Sequence, residues 1–140
     1  IAREVGKPVI IHDRDAHKDV IETLETHGAP ETVVFHCFSG DAEMAKICAE
    51  AGWYMSIPGV VTFKNAQQLR DAVLEIPDHL LLVETDSPFL APMPHRGSLN
   101  TPAQIPHILR FIAAERGEDL AVLTEAISSN ADRIFGSFQP

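Results

Sequence analysis

Short apolar runs alternate along this chain with longer stretches in which apolar residues recur every three or four positions. Residues 8–12 (PVIIH), 32–36 (TVVFH), 54–57 (YMSI) and 80–85 (LLLVET) have the length and nearly continuous apolar character of strands buried on both faces. Between them lie amphipathic helical patterns. Residues 15–27 place Val20, Ile21 and Leu24 on one side and close at Gly28; the stretch from Asp41 places Met44, Ile47, Cys48 and Ala51 ahead of Gly52; residues 65–75 place Leu69, Ala72 and Val73 inward. A proline-rich loop covers 88–102, and two helices follow at about 104–115 and 119–135, separated by Gly117. At the other end Ile1, Ala2 and Val5 have helical spacing, Gly6 stands where a helix C-cap glycine belongs, and Pro8 forbids continuation. The chain opens without Met and inside a helical pattern, so the expectation is a fragment.

The order is β-α-β-α-β-α-β-loop-α-α, which implies a parallel sheet with right-handed crossovers. A doubly wound sheet and a barrel both fit it. Neither GxGxxG nor GxxxxGK[ST] occurs, which weakens the nucleotide-binding forms of the first. A full (β/α)8 barrel takes about 250 residues, so four strands in 140 residues amount to roughly half of one. No internal repeat is present.

Composition narrows the function classes. Hydrophobic residues make up 45% and charged residues 22%, an ordinary balance for one globular domain. No apolar run approaches the roughly 20 residues that span a bilayer, so no membrane partner is expected. Cys37 and Cys48 form neither a disulfide framework nor a ligand spacing, which makes the reducing cytoplasm the expected location. The formal net charge of −9 argues against broad electrostatic capture of nucleic acid. It leaves a phosphodiester substrate open, because bound metal ions supply positive charge locally.

The candidate chemistry sits at strand ends. His12 ends the first strand, His36 the second, and Asp86 follows the fourth. In a parallel barrel all C-terminal strand ends meet at one face, where barrel active sites lie, so three residues distant in sequence converge. Imidazole with carboxylate suits zinc, manganese or iron, and magnesium as ligands become richer in oxygen. Strand alternation sends Cys37 away from His36, toward the helix layer, as a packing residue. Glu84 is placed either as acceptor for the far nitrogen of a metal-bound imidazole or as a buried carboxylate bonded to a neighbouring strand. Arg14 is either a donor to an anionic substrate oxygen or a surface arginine in a loop. His95-Arg96-Gly97 lies in the long loop that should hang over the same face. His17, His27, His79 and His107 are read as solvated positions of the outer helices and turns.

Five stretches carry a resemblance. PVIIHDRDA, FHCFSG, LLLVETDSPFLAP, PHRGSLNTP and NADRIFG, spread over the whole chain, resemble in content and order the segments of the TatD family of metal-dependent deoxyribonucleases, within the amidohydrolase-like barrels. The resemblance implies a (β/α)8 TIM barrel of which residues 1–140 supply about the last four βα units, the C-terminal half of a single domain. It implies His12, His36 and Asp86 as metal ligands, with Arg96 and Asn100 as substrate-binding residues in the loop beside the active site. The family's first-strand HxH pair and its GE-x-GLD segment with a metal-bridging Glu are absent here and lie upstream in the family. Ser98, Leu99 and Thr101 stand where Lys, Arg and Glu are common, so phosphate contacts from those positions are not implied.

The expected function is therefore a divalent-metal hydrolase cleaving phosphodiester bonds in DNA, with magnesium, manganese or zinc, two ions in the full-length protein, and the missing N-terminal half as partner. Asp86 is also the expected catalytic group that orients or deprotonates the attacking water. Two other readings stand beside it: hydrolysis of an amide or ester bond, and a non-catalytic fragment or half-barrel.

Overall fold

The structure is a computed structural model and describes residues 1–137. Helix α1 (Ala2–Val5) ends at Gly6, whose left-handed backbone (φ 60°) turns the chain into β1 (Val9–His12). Then follow α2 (His17–His27), β2 (Val33–His36), α3 (Ala42–Glu50), β3 (Tyr54–Ile57), α4 (Gln67–Glu75), β4 (Leu81–Val83), α5 (Ile105–Arg116) and α6 (Leu120–Phe135). The four strands form one parallel sheet in chain order β1-β2-β3-β4. Adjacent parallel strands in sequence order, each followed by a helical crossover, are the local rule of a barrel wall.

Register sorts the side chains into two faces. Ile11, Phe35, Met55 and Leu81 are cross-strand partners on the helix side. Phe35, Met55 and Leu81 are at most 1% exposed, and burying each contributes about 1.5–3 kcal/mol. On the other face His12 pairs with His36, and Ser56 with Leu82, one level above Ile10 and Val34. This face carries the candidate site at its upper end, with Leu82 beside it and an apolar floor of Ile10 and Val34 below.

Three expectations change. The first strand is not buried on both faces: Ile10 is 50% exposed, because β1 is an edge strand and nothing among the described residues covers that side of it. The fourth strand stops at Val83 rather than Thr85. Glu84 N–H still donates to Ile57 O (3.1 Å), but β3 itself ends at Ile57 and the chain turns into a 3-10 helix at Gly59, so the next donor toward β4 leaves the ladder. Helices α2 and α4 begin two residues later than the apolar pattern suggests; in α2 the Asp13 carboxylate accepts Ala16 N–H just ahead of the first turn. The prediction for α3 matches its start, with Asp41 capping Met44 N–H.

Candidate metal centre

The residues at the sheet's upper end do come together. His12 Nδ1 and His36 Nε2 are 3.0 Å apart, with the two rings tilted by 33°. The other nitrogen of His36, Nδ1, faces Glu84 Oε1 at 3.0 Å, and Glu84 Oε2 accepts Cys37 N–H at 3.0 Å. One donor atom each from His36, Glu84 and Asp86 lie within 4.8 Å of one another. His12 joins this group through His36.

The two carboxylates differ in what they are free to do. Both oxygens of Glu84 already accept bonds from the protein, which fixes the tautomer of His36 and points its Nε2 toward His12. Among the described residues the Asp86 carboxylate receives no donor, while its main-chain carbonyl accepts Phe89 N–H at 2.9 Å. A half-buried carboxylate without a donor beside two imidazoles is suited to a cation. The imidazole spacing fits as well: two nitrogens bound to one ion at about 2.1 Å and near a right angle lie about 3.0 Å apart.

Backbone conformation marks the same place. Cys37 (φ 48°), Asp86 (φ 54°) and Leu90 (φ 57°) are left-handed without being glycine, and Asp15 (φ 57°) lies in the loop after β1. Each such residue costs about 1–2 kcal/mol, and all four fall in the loops after strand ends. The left-handed turn at Cys37 also ends strand alternation. Cys37 is half-buried beside an apolar recess that Phe38 and Phe63 help to line, not packed under the helices. Burial first, then the nearby Glu84 and Asp86 carboxylates, push its thiol up to about 11, so it is protonated and a poor nucleophile near neutral pH.

The remaining candidates separate. Arg14 is exposed in the loop after His12, and Arg96 lies over the Phe63 ring, 4.3 Å from its centroid. Asn100 is a correction: it is 3% exposed and does not present its amide to a substrate. Its Nδ2 donates to Thr85 O and Phe89 O, both at 2.7 Å, and its Oδ1 accepts Thr101 N–H, so it clamps the long loop into shape. His17 is a second correction. It is not a free surface residue: its Nδ1 lies 2.5 Å from Asp13 Oδ2. Asp13, nearly buried, went unrecognised; an Asp four residues before a His at a helix start was the available signal. His107 is also partly covered, edge-on to His95 with 4.9 Å between centroids.

Fold and site together define a class: a parallel βα sheet with imidazoles and carboxylates gathered at its C-terminal mouth. The particular family follows from comparison. The chain belongs to the TatD-related DNase family, whose model, described as "TatD related DNase", matches residues 1–136. It is 47% identical over 139 residues to a Mycobacterium tuberculosis protein described as the uncharacterized metal-dependent hydrolase TatD, covering 97% of this chain and 52% of that one. It is 43% identical over 136 residues to the uncharacterized metal-dependent hydrolase YcfH of Escherichia coli, covering 96% and 51%. The crystal structure of the Escherichia coli TatD homologue YjjV superposes with a TM-score of 0.90 at 28% identity, over 98% of this chain and 53% of that one. A TatD family hydrolase from Entamoeba histolytica shares the fold, with a TM-score of 0.80 at 18% identity, over 93% and 51%. The chain thus spans about half the length of the curated relatives it matches, and its four βα units form an arc of a TatD-type TIM barrel. No described helix is long and apolar enough to cross a membrane.

Proposed function

We propose that this chain supplies the C-terminal half of the active site of a divalent-metal hydrolase that cleaves phosphodiester bonds in DNA. The observation that carries the reading is the His12–His36 pair, nitrogens 3.0 Å apart, beside an Asp86 carboxylate that has no donor among the described residues. The family description supports the phosphodiester part of it. His12, His36 and Asp86 are the ligands for magnesium, manganese or zinc; two ions in the full-length protein require further ligands from outside this chain. A divalent ion held there lowers the pKa of bound water and offsets charge on the phosphate. Glu84 keeps His36 in the orientation that presents Nε2. Asp86 orients the attacking water or accepts its proton, and Arg14 and Arg96 offer donors to anionic oxygens. The net charge of −9 favours a second reading, a small amide or ester substrate.

The test is turnover of a DNA oligonucleotide, and of simple amides and esters, by the full-length protein with each metal in turn. Asp86→Ala should lower kcat on the oligonucleotide at least about 100-fold, the usual effect of removing a charge-stabilising group, with an unchanged melting temperature. Near wild-type turnover in that variant would remove the assignment, and turnover of amides or esters alone would favour the second reading. The 140-residue chain alone is expected to bind an ion without hydrolysing DNA at a comparable rate.

A further inference from the structure

Next to the acidic cluster, the loops after β3 and β4 enclose a recess of about 420 Å³ whose walls include Phe63, Pro88, Phe89, Leu90 and Arg96. Its wall is tied to the candidate metal centre through the main chain, where Phe89 N–H donates to Asp86 O at 2.9 Å. The recess is rigidly built. Arg70 Nη1 donates to Phe63 O at 2.7 Å, and Thr62 Oγ1 accepts Met93 N–H at 2.8 Å, tying one loop to the other. Asn100 holds the Phe89 carbonyl. Gly59 lets the two loops touch, for a Cβ there would run into Leu90 O and Pro92.

Two side chains in this fixed frame lack the partners their chemistry calls for. Phe89 is 68% exposed although its backbone is clamped. Arg96 lies over Phe63, yet among the described residues its guanidinium has neither a carboxylate nor a carbonyl acceptor. An apolar aromatic face beside an available guanidinium matches a molecule that joins a flat ring to an anion.

We propose that Phe89 and Arg96 form a nucleotide subsite, with the Phe89 ring stacking a nucleobase and the Arg96 guanidinium holding its phosphate. This rests on the phosphodiester reading and adds to it the residue that recognises the base. Stacking accepts any base, because every base has a π face, so the subsite provides affinity and position rather than sequence choice.

The test titrates thymidine 5′-monophosphate and 2-deoxyribose 5-phosphate separately into the full-length protein, by calorimetry and by the ring resonances of Phe89. The nucleotide should bind at least about fivefold more tightly than the sugar phosphate. Phe89→Ala should abolish that difference and leave sugar-phosphate affinity unchanged, Phe89→Tyr should retain it, and Arg96→Gln should weaken both ligands. Circular dichroism establishes that each variant is folded, with Phe89→Leu as a second apolar variant should alanine unfold the loop. A base preference that survives both Phe89→Ala and Phe89→Leu would overturn the subsite, as would Phe89 resonances unmoved by either ligand. DNA hydrolysis is measured in parallel. Hydrolysis without any base preference overturns the subsite alone, whereas base preference without hydrolysis supports the subsite and overturns the phosphodiesterase reading.

Discussion

The two ends of the sheet each carry a cluster of charged and polar side chains, and they are built on opposite plans. At the lower end Arg116 of α5 donates to Val73 O in the last turn of α4 and to Ile76 O just after it, and pairs with Asp78 and Glu118. Asn130 of α6 donates to Asp78 O and Leu81 O, at the entrance to β4. The Arg116 side chain is 8% exposed and Asn130 is 1% exposed, and each has its donors matched within the chain. At the upper end the Asp86 carboxylate has no donor among the described residues, two imidazole nitrogens face each other, and three non-glycine residues in the loops after β2 and β4 are left-handed. A closed network satisfies every group that burial would otherwise penalise, so it stabilises the fold. An open one keeps attraction in reserve for something that is not part of the chain.

If that division is real, mutations at the two ends should have separable effects. The largest is expected from Arg116→Met, which strands two carbonyls and unpairs two carboxylates. Stability should fall by about 3–4 kcal/mol, measured by urea unfolding, with metal affinity within twofold of wild type. A large change in metal affinity would show the two ends to be coupled. Glu84→Gln is next. Losing the charged acceptor behind His36 should weaken metal binding about 10- to 100-fold while leaving the unfolding midpoint nearly unchanged. A large stability loss with intact metal affinity would instead make Glu84 part of the closed kind of network.

The smallest effect concerns Cys48, on the buried face of α3. Burial, with Asp13 adding to it, pushes its thiol up from 9.0 to about 12. Above pH 9 the unfolded chain releases this proton before the folded chain does, so stability is full below pH 9 and declines as pH rises toward 12. Cys48→Ala should flatten the alkaline decline of the unfolding free energy, whatever constant offset the lost sulfur adds. An unchanged slope between pH 9 and 11 would assign that decline to other groups.

Much of this molecule is written in local pattern. Residues 54–57 were recognisable as a strand and form β3, and Asp41 and Gly117 mark helix ends where capping chemistry requires them. Periodicity and capping act between residues a few positions apart, so the sequence displays them directly. His12, His36 and Asp86 were legible because a parallel sheet sends every strand end to one side. Only the tertiary structure decided what each polar group bonds to. Asn100 matches a loop motif, yet it is consumed in holding Thr85 and Phe89; His17 looks like a solvated helix residue, yet Asp13 claims it. Glu84 and Asp86 are two residues apart and chemically alike. The sequence alone determined that both lie near the mouth. Which one orients an imidazole and which one stays available depends on a hydrogen bond to His36, 48 residues away, and on the left-handed turn at Asp86. Those are properties of chain segments brought together by folding, and no local pattern encodes them.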